Sequence, residues 1–174
     1  MEYDFVLKFM LAEGGADADA LVERLGESGC EDAVVGIGQS GRIALNFTRE
    51  AASASQAVIS ALEDVKRAIP DARLIEASPD LAGLTDIAEF IGVTRQNVRK
   101  LMLSHFRSFP APVHEGTTAL WHLAPVLEWL SGRGEYAIER GLLEVSRIAM
   151  RINLAKESSR IDEPVEDRVR VLVA

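Results

Sequence analysis

An α+β fold is predicted by three observations. Apolar side chains recur at every second position near the N-terminus, an alanine-rich helical run sits between β-rich stretches, and later come short capped helices interrupted by prolines. The chain of 174 residues is long enough for one ordinary domain or two small ones. Its 48% hydrophobic and 26% charged residues are those of a folded chain, and no apolar run approaches a bilayer span.

Tyr3, Phe5, Leu7, Phe9 and Leu11 read as a strand with one buried face. Asp17 is placed to cap a helix carrying Ala20, Leu21 and Leu25, which Gly26 and Gly29 would end. Residues 33–37 and 43–47 are short β-rich runs around Gly38-Gln39-Ser40-Gly41, a hairpin signal. Residues 51–69 put Ala54, Val58, Ala61, Leu62 and Val65 on one helical face, Pro70-Asp71 stops that helix, and residues 73–76 supply a fourth strand. This β-α-β-β-α-β order over residues 1–78 suits a ferredoxin-like fold, with two helices covering one face of an antiparallel sheet.

Residues 81–133 form the second predicted unit, a winged helix–turn–helix. Thr85 is placed to cap a helix whose Ile87, Ala88 and Ile91 pack inward, Gly92 permits a tight turn, and Thr94 caps the next helix. Val98 and Leu101 then point back at the first helix. Pro110 and Pro112 end helical structure before a hairpin around Gly116, and Trp121, Val126, Leu127, Trp129 and Leu130 supply bulky packing. The third segment, residues 134–174, carries a C-terminal helix for oligomerisation or docking. Ile138, Leu142, Val145, Ala149 and Ile152 form a stripe over two heptads, which fits packing on its own protein or on a second copy. Beyond Ser158 the tail is charged, and the alternating Val169, Val171 and Val173 suit a strand added to a sheet edge.

The net charge of −8 is unevenly distributed. Residues 1–80 hold 15 acidic and 7 basic side chains, whereas residues 81–131 hold 4 of each. Between Phe90 and His114 there is no acidic residue, and Arg95, Arg99, Lys100 and Arg107 all fall there. The local field governs contact with phosphates, so this stretch is the one suited to nucleic acid. Thr94, Arg95, Gln96 and Asn97 open the second helix of the motif. Arg forks onto guanine, and Gln and Asn pair with the edge of adenine. Arg99, Lys100 and Arg107 are placed for groove or phosphate contact.

The segment 84–131 resembles the winged-helix DNA-binding domains of the AlpA/excisionase group, related to the MerR-type helix–turn–helix. The resemblance rests on GVTRQNV at 92–98, the Phe-Pro-x-Pro-Val run at 109–113, a glycine turn at Gly116, then Trp121 and the Trp129-Leu130 pair. It implies base reading by the second helix and backbone contact by the wing. This wing reads HEGTTAL, with Glu115 at its tip, so His114, Thr117 and Thr118 are its evident donors.

Other chemistries find little support. Gly36 to Gly41 match GxGxxG, but strand-like residues follow where a dinucleotide site needs a helix, so a hairpin turn explains the glycines. His105, His114 and His122 are too widely spaced for a zinc site and read as surface or DNA-facing residues. Cys30 is the only cysteine, which excludes an internal disulfide and points to a reducing compartment, and its acidic neighbours disfavour a reactive thiolate. No nucleophile elbow, phosphate loop or metalloprotease motif occurs, so no enzyme and no cofactor are expected.

These readings converge on a cytoplasmic, sequence-specific double-stranded DNA-binding transcriptional regulator of bacterial type, working as a homodimer away from membranes. The alternative is an antitoxin-like or adaptor protein of a two-protein operon that uses its ends for a protein partner. A small effector at the ferredoxin-like unit ranks lower, because no ligand-specific polar cluster is evident there. A degenerate winged helix used only for protein contact is the remaining expectation.

Overall fold

A computed structural model describes residues 1–12, 18–38, 40–161 and 167–173. The N-terminal alternation becomes β1 (Glu2–Met10), with Tyr3, Phe5, Leu7 and Phe9 buried and Leu11 just outside it. Helix α1 (Ala18–Glu27) buries Leu21 and Leu25. It runs one residue past Gly26, so that glycine does not end it; Gly29, at φ +98°, lies in the turn that follows. The expected Asp17 cap and the turn residue Gln39 lie outside the described residues. β2 (Ala33–Gly36) and β3 (Arg42–Glu50) form the predicted hairpin. β3 outgrows the expected 43–47 because β1 pairs with its whole length, from Glu2↔Glu50 to Met10↔Arg42. Helix α2 (Ala54–Ala68) starts at Ser53, whose hydroxyl accepts from the Gln56 N–H at 3.2 Å. β4 (Arg73–Ser78) returns to β1.

The four strands lie in the order β2-β3-β1-β4, every neighbouring pair antiparallel. One face of this sheet is apolar. Phe5 and Phe47 face each other in register with rings stacked 5.1 Å apart, among Leu7, Phe9, Ile43 and Leu45. Alanines at 57 and 61 are fully buried and let α2 approach closely.

The chain continues through β5 (Leu81–Ala82), α3 (Leu84–Phe90) and α4 (Arg95–Ser104). It then forms β6 (Trp121–His122), α5 (Leu123–Arg133), α6 (Arg140–Ser158) and α7 (Asp167–Val173). The molecule is therefore a mixed α+β structure, with a four-stranded antiparallel sheet and seven helices among the described residues. β5 and β6 pair through Leu81↔His122 and Ala82↔Trp121, a short ladder too brief for any sequence period to reveal. A second core forms around Ile87, Val98, Trp121, Leu123, Leu127 and Leu130.

Helix α6 joins the two cores. Val145 and Ala149 of the heptad stripe are buried against the sheet, Ile152 is half-buried there, and Ile138 and Leu142 pack on the second core. The stripe is thus occupied within its own molecule. Tyr3 donates to Glu144 Oε2 at 3.0 Å, and Arg147 Nε meets Glu128 of α5 at 2.6 Å. Asn153 is buried and covers the outer edge of β4. It accepts from the Ala77 N–H at 2.9 Å and donates to the Ala77 carbonyl at 2.8 Å. Its amide also donates to Asp80 Oδ2 at 2.8 Å. The Asp80 carboxylate, fully buried, meets His122 Nδ1 at 2.6 Å.

Two expectations are corrected. Residues 167–173 form helix α7, not the strand suggested by Val169, Val171 and Val173. A lone strand leaves its backbone groups unpaired, whereas a helix satisfies its own. Thr85 is not a cap. The N-cap of α3 is Gly83, whose N–H donates to Asp86 Oδ2 at 2.7 Å, and Thr85 lies inside the helix, exposed.

Candidate nucleic-acid interface

The two helices of the motif meet at a four-residue turn whose Gly92 adopts φ +68°, a conformation that a β-carbon disfavours. Thr94 then caps α4 as expected, with extended backbone and its hydroxyl accepting from the Asn97 N–H at 3.2 Å. Val98 is fully buried, and Leu101 and Met102 pack against the second core. That fixes the rotation of the helix. Positions 96 and 100 fall on the opposite side with 99 beside them, while 95 lies in the first turn, three residues before Val98; Arg95, Gln96, Asn97, Arg99 and Lys100 are all exposed.

None of the basic side chains of α4 pairs with a carboxylate or a side-chain acceptor among the described residues. By contrast, Arg49, Arg133, Arg140, Arg147 and Lys156 are all held by carboxylates of their own molecule. The first turn of α4 holds no acidic residue. Its N–H groups and the positive end of the helix dipole therefore point outward without a counter-charge of their own.

Downstream, Arg107 is exposed with its guanidinium 5.5 Å from the ring of Phe106, itself 72% exposed. The hairpin segment that follows is anchored by aromatic packing. Trp121 Nε1 donates to the Pro110 carbonyl at 3.0 Å, and Phe109 lies edge-on to Trp121 and Trp129 at 6.2 and 5.1 Å. The predicted hairpin is narrow, with one bridge between His114 and Leu120. A Cβ on Gly116 would come within 2.6 Å of His114 Nε2, so the exposed imidazole lies over the hairpin tip and would have to swing aside for a larger residue. His114, Thr117 and Thr118 are exposed, and the Thr118 methyl sits near Gly83 at the start of α3.

The structure thus brings Thr94, Arg95, Gln96, Asn97, Arg99 and Lys100 together on one helix. It leaves Arg107 on the following connection and His114, Thr117 and Thr118 on the narrow hairpin, with no hydrogen bond linking that hairpin to α4 among the described residues. Two histidines differ from expectation. His105 caps the C-terminus of α4 and lies 5.6 Å from the Trp129 ring, and His122 is tied to Asp80; neither is a free surface side chain. The link between Asp80, His122 and Asn153 was invisible in the sequence, because it joins residues 42 and 73 positions from Asp80.

No known protein family, no curated protein and no solved structure matches this chain.

Proposed function

We propose that this chain is a sequence-specific double-stranded DNA-binding regulator of bacterial type, without catalytic activity or cofactor, acting in the cytoplasm as a homodimer. The observation that carries this reading is the solvent side of α4, where Arg95, Arg99 and Lys100 are exposed beside Gln96 and Asn97, with no carboxylate partner among the described residues. We read residues 1–78 as ferredoxin-like, from the strand order β2-β3-β1-β4 and the β-α-β-β-α-β succession. Residues 81–133 are read as a winged helix–turn–helix of the AlpA/excisionase kind. In that arrangement α4 enters the major groove and the wing lies along the backbone. A single small unit covers a modest area of DNA, so a second copy on an adjacent half-site supplies the remaining affinity.

Selection of bound sequences from a random duplex library, followed by titration of the preferred site, tests the reading. Arg95→Ala is expected to relax base preference at one position and cost about 1–3 kcal/mol there. Lys100→Ala is expected to weaken all sequences alike and to lower the slope of log K against log salt by about one. Parent-like binding by both variants would remove α4 as the reader.

A further inference from the structure

We propose that the groove beside the first half of β1 receives an extended basic peptide from a partner protein, which adds to the sheet as a short fifth strand. This inference is independent of the DNA reading.

The hydrogen-bond phase of β1 carries the argument. Met1 and Ala51 exchange both backbone hydrogen bonds, at 3.1 and 3.2 Å. Bonded pairs alternate along an antiparallel ladder, so Tyr3, Phe5, Leu7 and Phe9 also bond to β3. The N–H and C=O groups of Glu2, Asp4, Val6 and Lys8 therefore turn toward the other side. Val6 and Lys8 find β4 there, opposite Ser78 and Glu76. β4 ends at Ser78, and Pro79 carries the chain away. The four backbone groups of Glu2 and Asp4 face outward with no partner among the described residues.

The other sheet edges are managed differently. The edge of β4 is closed by Asn153 on Ala77 and by Lys156 on the Ile75 carbonyl, and β2 is only four residues long. Such blocking and shortness are how exposed edges are kept from pairing. The β1 edge instead opens into a groove of about 470 Å³ between the sheet, α3 and the start of α6. Gly141 lies in the lining, where a Cβ would come within 3.1 Å of the Met1 methyl.

The lining defines the occupant. Glu2, Asp4, Glu89 and Glu139 all line the groove, Val6 and Phe90 give it apolar surface, and no lysine or arginine is in its lining among the described residues. Glu2 and Asp4 project from the same face of β1, two residues apart. An added strand with Lys or Arg at alternate positions places its charges opposite them. Backbone pairing then supplies affinity and the carboxylates supply selectivity, as in strand addition generally. The same charge repels nucleic acid, so this groove and α4 serve different partners.

The test pans a random short-peptide phage library against the immobilised full chain, then titrates the enriched peptide by amide NMR. Enriched sequences are expected to carry Lys or Arg at every second position, and the Glu2 and Asp4 amides should shift and gain exchange protection. The double variant Glu89→Gln/Glu139→Gln, both side chains exposed, should keep the parent's melting curve and weaken the peptide about tenfold or more. N-methylating the peptide backbone should abolish binding while preserving charge. The proposal is overturned by failure to enrich any peptide, by enrichment without basic bias, or by unshifted Glu2 and Asp4 amides. It is equally overturned if those amides are already protected in a dimer of the chain, which would assign the edge to a second copy.

Discussion

Arg49 shows how much of this fold hangs on single side chains. It stands on β3 in the inward phase of Ile43, Leu45 and Phe47, where the alternation calls for an apolar residue. Nε and Nη2 fork onto Asp32 at 2.6 and 2.9 Å, and Nη1 reaches Asp64 at 2.8 Å and Ser60 at 2.9 Å. Nη2 also donates to the Gly29 carbonyl at 2.7 Å, so all the donors are used. Arg49→Met fills similar volume but strips Asp32 of its cation and leaves Asp64 with Arg67 alone, and is expected to cost about 3–5 kcal/mol in urea unfolding. A loss near zero would show those aspartates to be solvated. Beside this cluster lies Cys30, only 3% exposed, its thiol pushed up from 9.0 to about 11 by burial and then by Asp64. The folded chain therefore keeps this proton after the unfolded chain has released it. Stability is thus fully present below pH 9 and falls as pH rises from about 9 to about 11. Cys30→Ala should flatten that alkaline decline. Iodoacetamide near neutral pH should label the parent thiol only in denaturant, and rapid native labelling would contradict the burial.

Among the elements, α4 is the one whose stability and proposed base reading can be tested separately. Thr94→Ala removes the bond to the Asn97 N–H and is expected to cost roughly 0.5–2 kcal/mol of stability. Arg95→Ala, one residue on and fully outside the core, should leave the melting temperature unchanged. Thermal unfolding monitored by circular dichroism distinguishes them. Equal destabilisation would mean that Arg95 holds structure. The strands of the large sheet and the capped α4 were legible because periodicity and capping are local physics. Arg49 carried a readable signal, a charge in an inward phase, though not the identity of its partners. The roles of Asp80, His122 and Asn153 were not legible, since their meaning arises only when α6 lies along β4. Residues 167–173 misled because alternation of valines records side-chain pattern, not the presence of an edge to pair with. The unpaired edge at Glu2 and Asp4 was equally hidden, because it depends on where β4 stops.

Across the whole molecule, α6 contributes Val145 and Ala149 to the sheet's core and borders the second core through Leu142 and Leu143. Two cores sharing one helix are expected to melt together. Asn153→Ala strips both partners from Ala77 and one from Asp80, and should lower stability by roughly 1–3 kcal/mol. Differential scanning calorimetry should show one transition in the parent, moved downward in the variant. Two separate transitions in the parent would break this view of α6.

That shared helix also limits how the molecule can be taken apart. Severing the chain after Ser78, at the gap where the strands give way to short helices, would produce a piece with Phe5, Leu7 and Ala77 bare on the side α6 now shelters. Such a piece should clump or melt early, while one retaining residues 140–158 in trans should recover. Helices α3 to α5 are accordingly no detachable cassette. They are braced against the sheet by a strut that follows them in the chain, so grafting them elsewhere requires moving the strut as well.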